Sequence, residues 1–328
     1  IAMANGYDDA YNQSPARLIR TARQLGYRGS LLHYVGMSHF MRLSMAATGP
    51  QVAPGGDPLC APAKAWHAEW LKLAKSSGFS PILSLSYELF AQYCPAAWQQ
   101  RASNGDPART GWDPPSALLS PASTAAMGWL QSVGSAFAAL MRGAGLPVRF
   151  QIGEPWWWIM ADGRPCLYDD AAKAAFGGNP AVIADLRGTL DPAQLALLDQ
   201  AGTLLANSTL ALRDAVRRAA ASARTEVLLL PFLPTVLDPE MPEARRANLP
   251  SGWASPAFDR LQIEDYDWLT AGADALRRAG YTLAEAHLGY PAEETDYLAG
   301  FVLRADQREL WRLIDAGLDE AAARNAHE

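Results

Sequence analysis

Two acids stand out in the sequence because of what surrounds them. Glu154 closes the run Gln151-Ile152-Gly153-Glu154, Pro155 follows, and Trp156, Trp157 and Trp158 come next. Proline cannot donate to a strand ladder, so a strand ending here would end at the acid. Three consecutive indoles are costly to bury, because each N–H wants a partner. Aromatic faces beside a carboxyl suit a sugar: the rings stack on its apolar faces while the acid protonates a glycosidic oxygen. A purely structural reading has the tryptophans plug a cavity and Glu154 pair with an arginine.

A second segment repeats the pattern. Leu261-Gln262-Ile263-Glu264 ends in acids, with Asp265, Tyr266, Asp267 and Trp268 after it. Glycoside hydrolysis needs two carboxyls flanking one bond. A spacing of about 5–5.5 Å leads to retention and about 6.5–9.5 Å to inversion. Asp265 and Asp267 also suit capping of a helix that starts near Trp268. Strand alternation qualifies the pair: Phe150, Ile152 and Glu154 share one phase, whereas Glu264 shares a phase with Gln262. If apolar positions face outward in both strands, Asp265 rather than Glu264 matches Glu154, so Asp265 is a reserve candidate.

Other polar side chains sit on strand-like runs and would complete a cleft that binds hydroxyl groups. They are His33 and Tyr34, Tyr87 and Glu88, and His287 and Tyr290. With Trp156, Trp157, Trp158, Asp265 and Tyr266 they form the expected substrate-binding set. His39 and His67 receive no role. Met37, Met41 and Met45 read as packing.

These residues need a scaffold that brings strand ends together. Strand-like runs cover 1–4, 30–35, 81–89, 148–154, 226–236, 260–265 and 284–290, with 301–303 as an eighth. Helix-like runs separate them, at 14–26, 61–77, 122–144, 191–224, 268–278 and 306–323. Ser14-Pro15 and Asp191-Pro192 carry start signals, a capping side chain followed by a residue that needs no N–H partner. The run 191–224 would be roughly 50 Å long, so a break or a projection is expected. Repeated strand–helix alternation implies a parallel sheet, and eight such units imply a closed (β/α)8 TIM barrel spanning 1–328 as one domain. The Pro/Gly-rich loops 49–62 and 104–121 follow strands, which puts them on the functional rim.

The 328 residues are 49% hydrophobic and 19% charged, enough for a large core. The net charge of −6 speaks against nucleic acid as a partner. The arginines at 213, 217, 218 and 224 read as a solvated helix face. Three cysteines, far apart, suggest reduced thiols. No apolar run is long enough to span a membrane and no secretory leader is visible, so synthesis in the cytoplasm is expected. GxGxxG, GxSxG, HExxH, P-loop and EF-hand patterns are missing, and no cofactor or metal is expected.

Glu154-Pro155 at the end of a fourth strand resembles the Asn-Glu-Pro acid/base signature of clan A glycoside hydrolases. That resemblance implies Glu154 as the general acid/base and the strand-end Glu264 as the nucleophile. Two positions depart from it: Gly153 stands where that signature has Asn, and Glu264 falls on the sixth strand rather than the seventh. More broadly, HYVGMSHF (33–40), QIGEPWWW (151–158), LQIEDYDWL (261–269) and LGYPAEETDYLAGFVL (288–303) resemble segments of the TIM-barrel domain of phage and prophage non-contractile tail proteins. That implies a domain cut from a larger virion protein, located in a tail. Its partners would be other tail subunits and a cell-surface glycan. A barrel that keeps the fold for structure or glycan binding, without turnover, is the alternative.

Overall fold

The computed structural model describes residues 2–6, 8–111, 113–300 and 304–324. Seven parallel strands form one curled sheet. They are β1 (Met3–Gly6), β2 (Ser30–Tyr34), β3 (Ser80–Ser86), β4 (Val148–Gly153), β5 (Thr225–Leu230), β6 (Arg260–Glu264) and β7 (Thr295–Leu298), paired in that order. Six long helices accompany them: α1 (Pro15–Gln24), α2 (Ala61–Ser76), α3 (Thr124–Gly143), α4 (Pro192–Ala220), α5 (Asp274–Leu288) and α6 (Trp311–Ala323). This is the expected TIM barrel. The proposed eighth strand at 301–303 lies outside the described residues.

The start signals act as read. Ser14 accepts a hydrogen bond from Arg17 N, and Asp191 forms a capping box with Gln194. The expected break in α4 does not occur: its 29 residues run continuously. It packs along α3, where Gly134 lets Leu212 and Val216 approach.

Two expectations near the end of the chain are corrected. The run 284–290 is not a strand: α5 continues to Leu288, and Gly289 ends it in the left-handed conformation, at φ 67°. The seventh strand is Thr295–Leu298. The helix expected at 268–278 is two, Tyr266–Thr270 and α5.

Outward residues such as Leu31, Leu83, Phe150, Ile152, Val227 and Ile263 make the main core with the helices. The barrel interior differs, with only a small apolar cluster of Leu32, Ile82 and Leu228. Around it runs a polar chain. Arg149 pairs with Glu226 at 2.5 Å and Arg260 with Asp296 at 2.6 Å. Gln262 donates to Asp296, Gln151 donates to Gln262, and Ser84 donates to Gln151. Buried polar groups satisfied this way fix strand register as well as shape.

β1 and β7 are not paired to each other among the described residues. A cavity of about 1050 Å³ opens at that seam, lined among others by Leu32, Tyr34, Leu298 and Trp311, and none of Glu88, Glu154 or Glu264 lines it. Two antiparallel ribbons sit beyond the strand ends, Leu43–Ala46 with Gly49–Val52 and Glu88–Phe90 with Ser116–Leu118. No helix among the described residues is long and apolar enough to cross a membrane.

Candidate active site

The acids meet at the carboxyl ends of the strands. In β6, Gln262 and Glu264 face the barrel interior, and Glu264 is 4% exposed. In β4 the interior positions are Gln151 and Gly153, and Phe150 and Ile152 face the helices. Regular alternation would therefore turn Glu154 outward, away from Glu264. The backbone prevents this: Glu154 has φ 46°, in the left-handed region that side chains other than glycine seldom adopt. That twist breaks the alternation at the strand end. Glu154 N still donates to Leu230 O at 2.8 Å, so the residue stays tied to the sheet. Beside it, Phe232 pairs with Glu264 in a parallel bridge just beyond β5.

The two carboxyls affect one another. Glu154 is pushed up to about 8, first by burial, then by the charges of Glu88 and Asp267. Glu264 is raised well above the usual carboxylate range by burial, then by Glu154, Asp265 and Asp267. A third acid belongs to the group. Glu88, 7% exposed on the first ribbon strand, is pushed up to about 7 by burial, against a hydrogen bond from Ser116. Tyr266 completes it, its hydroxyl proton held by burial and by Glu264, Glu154, Asp267 and Glu88. No arginine, lysine or histidine among the described residues lowers any of these four acids.

The tryptophan run supplies one wall by strand-like alternation. Gln100 Nε2 donates to Trp156 O at 2.8 Å, and Gln100 Oε1 accepts from Trp158 N at 2.7 Å, so one buried amide holds the backbone extended. Trp156 and Trp158 then share a side, ring centroids 5.8 Å apart, and Trp156 meets Phe232 edge-on at 5.9 Å. Phe232 lies 5.1 Å from Tyr266, so the aromatic wall runs from the tryptophans to the acids. Trp156 Nε1 is buried with no hydrogen-bond partner among the described residues.

Seven residues expected in the cleft are elsewhere: Tyr34 lines the seam cavity, Tyr290 Oη donates to Trp253 O at 2.9 Å, and five more are turned away. Trp157 points the other way, its Nε1 donating to Ala201 O at 2.9 Å within the main core. His33 faces outward from β2, where Asn5 bonds its ring and Trp66 and Trp70 pack on it at 5.3 and 4.8 Å. Tyr87 shares a 3.0 Å hydrogen bond with Ser208 of α4. His287 is on α5 and bonds the Leu249 carbonyl at 2.8 Å. Asp265, the reserve candidate, faces the helices. Tyr297 Oη donates to it at 2.9 Å and Arg277 lies 3.8 Å away. It makes no capping bond either. In each case odd–even alternation along the strand, or a helix in place of a strand, turns the side chain away.

Glu88, Glu154, Trp156, Trp158, Glu264 and Tyr266 remain together. Phe232, Ser116 and Asp267 join them and were not assigned to the cleft from sequence. Phe232 lay inside a run read as continuous strand, although Pro231 and Pro234 could have marked its end. Ser116 carried no signal beyond its place on a rim loop. Asp267 was read as a cap. The purely structural reading paired Glu154 with an arginine. Among the described residues no arginine contributes to holding Glu154, and Arg149 of the same strand pairs with Glu226.

The fold is that of a TIM barrel with acids at its strand ends, and solved structures similar to it include glycoside hydrolases. The solved glycoside hydrolase domain of PgaB (BpsB) from Bordetella bronchiseptica is similar over 99% of this chain and 92% of that chain. The TM-score is 0.60 and the identity 16%. The β-glucosidase 1317 is similar over 96% and 74%, with a TM-score of 0.51 and 14% identity. Within this class the chain belongs to the family of the non-contractile tail sheath protein TIM barrel, whose model matches residues 1–328. No curated protein matches it.

Proposed function

We propose that this barrel is a tail-borne module, part of a larger virion protein, that binds and hydrolyses a cell-surface glycan at the mouth formed by Glu88, Glu154, Glu264 and Tyr266. The observation that carries the reading is the pair Glu154, half-buried, and Glu264, buried, at two strand ends with no basic group among the described residues to neutralise them. Like charges held close cannot both ionise, so the pair keeps one proton near neutral pH. One carboxyl then donates that proton to the glycosidic oxygen. The other attacks the anomeric carbon or activates water, according to their spacing. The Trp156–Phe232–Tyr266 wall would carry the sugar's apolar face. Family membership supports the tail location and the other tail subunits as partners.

The resemblance to clan A assigns the acid to Glu154. Burial and the charges of Glu88 and Asp267 agree, since they hold the Glu154 proton up to about 8. Aryl glycosides with acidic leaving groups separate the roles, since they need little protonation. The expected result is that Glu154→Gln keeps activity on these substrates while Glu264→Gln loses it. The opposite pattern makes Glu264 the acid. Unchanged activity in both variants would refute the site.

A second reading, a glycan-binding barrel without turnover, draws on Gly153. It stands where the clan A signature has Asn, and a Cβ there would come within 3.2 Å of Ser84 Oγ. Binding of bacterial surface glycans without release of reducing ends would favour it.

A further inference from the structure

We propose that His33 and His67 form an acid-sensitive latch: while both rings are neutral they hold β1 and α2 against β2, and a proton taken up there releases this corner of the barrel. The latch stands apart from the saccharide reading. Both side chains are fully buried, with ring centroids 5.4 Å apart. Asn5 of β1 and His33 of β2 are direct cross-strand neighbours, and His33 Nδ1 donates to Asn5 Oδ1 at 2.9 Å. His33 Nε2 is buried with no hydrogen-bond partner among the described residues, and Trp66 and Trp70 of α2 pack on the ring. The unbonded buried atoms on its neighbours, Trp70 Nε1 and Asn5 Nδ2, are donors, so neither can accept from a protonated Nε2. His67 Nδ1 donates to Ala63 O at 2.8 Å, which leaves its Nε2 bare. Tyr11 Oη lies 3.4 Å from that nitrogen and donates its own proton to Val35 O. Phe137 of α3 meets the His67 ring edge-on at 4.9 Å.

A charge on either ring would sit in an aromatic cage, and among the described residues no carboxylate supports it. The titratable groups facing the pair are the two histidines themselves and Tyr11, with Asp8, Cys60 and His39 beyond Tyr11. Burial keeps the Tyr11 proton in place, so this hydroxyl brings no negative charge. Asp8 is engaged elsewhere: it accepts from the backbone N–H groups of Met37, Ser38 and His39 and pairs with the His39 ring at 3.1 Å. Burial, then the His67 charge, holds His33 well below the usual imidazole range, and burial brings His67 down to about 4. A histidine in the open corner takes a proton near 6.5. Below that value the open form binds more protons than the closed one, so acid favours opening. From about 6.5 down to about 4, each pH unit multiplies the opening constant about tenfold per histidine. The corner can open by itself, because β2 is the only strand paired with β1 among the described residues.

The test is hydrogen exchange at pH 7 and pH 5, read as protection factors so that the intrinsic pH dependence of exchange drops out. Amides of β1, β2 and the first turns of α2 should lose protection about twentyfold or more on acidification. At pH 5 the amides of β4 and β5 should remain better protected than this corner. His67→Phe, combined with His33→Phe and Asn5→Val, replaces the latch with apolar groups and should remove the acid step. A second measurement needs no variant. Nitrogen–proton NMR of the five histidines should find two with neutral rings at pH 5.5, recognised as His33 and His67 by their contacts with the Trp66 indole protons. Equal protection of the corner at both pH values overturns the latch, as do rings that are both protonated at pH 5.5 in a corner that stays closed. Loss of protection to one common value in the corner, β4 and β5 means unfolding of the whole chain and overturns it too.

Discussion

Replacing Glu154 with Gln should stabilise the protein increasingly as pH rises from about 5, and most at the alkaline side. Glu154 is an acid whose proton affinity is raised by the fold, from 4.5 to about 8. The folded state therefore binds more protons than the unfolded state between those two values. Stability is unaffected by this group below about pH 4.5, falls as pH rises through that window, and levels off above about 8. A tenfold change in proton affinity is worth about 1.4 kcal/mol, so full desolvation would set the penalty near 5 kcal/mol. Glu154 keeps partial solvent contact, which brings the expected value to about 2 kcal/mol. Glutamine has the shape of the protonated acid and carries no charge, so the variant escapes the penalty. Thermal unfolding at pH 5 and pH 8.5 reads it directly. The variant should match the parent at pH 5 and melt roughly 4 °C higher at pH 8.5. Equal melting at both values, or a less stable variant at pH 8.5, would refute the argument that Glu154 is held uncharged in the fold.

Three further outcomes follow from packing. Arg277→Met leaves Asp265 buried and unpaired behind the barrel wall, so it should cost about 3–5 kcal/mol in chemical denaturation while glycan affinity of the folded fraction stays unchanged. Gly202→Ala would set a methyl 2.1 Å from Arg246 O, so urea unfolding should show a loss of at least about 1–3 kcal/mol. Trp156→Phe keeps the aromatic wall but removes its unbonded N–H. If that N–H receives a sugar oxygen, affinity measured by titration should fall by about 1 kcal/mol.

Much of the barrel was legible because its outward strand faces are apolar and its helices carry clear start signals. What failed has a common cause. The barrel interior is polar, so Thr295–Leu298, with Asp296 turned inward to Arg260, gave no apolar run. The more apolar stretch just before it drew the assignment instead, although it ends a helix. In the site, Glu154 was legible from its neighbours, yet its direction was not. Alternation turned it outward, and only the left-handed backbone brings it into the mouth. The same alternation explains the tryptophan run, where Trp157 had to point away from Trp156 and Trp158. His33 and Asp265 follow that rule too. A strand-end position says which rim a residue reaches, and parity says which side of the wall it faces.

The most direct test of the two-carboxylate site is a crystal structure of Glu154→Gln or Glu264→Gln soaked with an oligosaccharide that the parent binds. The account expects a glycosidic oxygen between residues 154 and 264, with one sugar ring on the wall of Trp156, Phe232 and Tyr266. A saccharide bound instead at the seam between β1 and β7, or on the outer helices with the mouth empty, would contradict it.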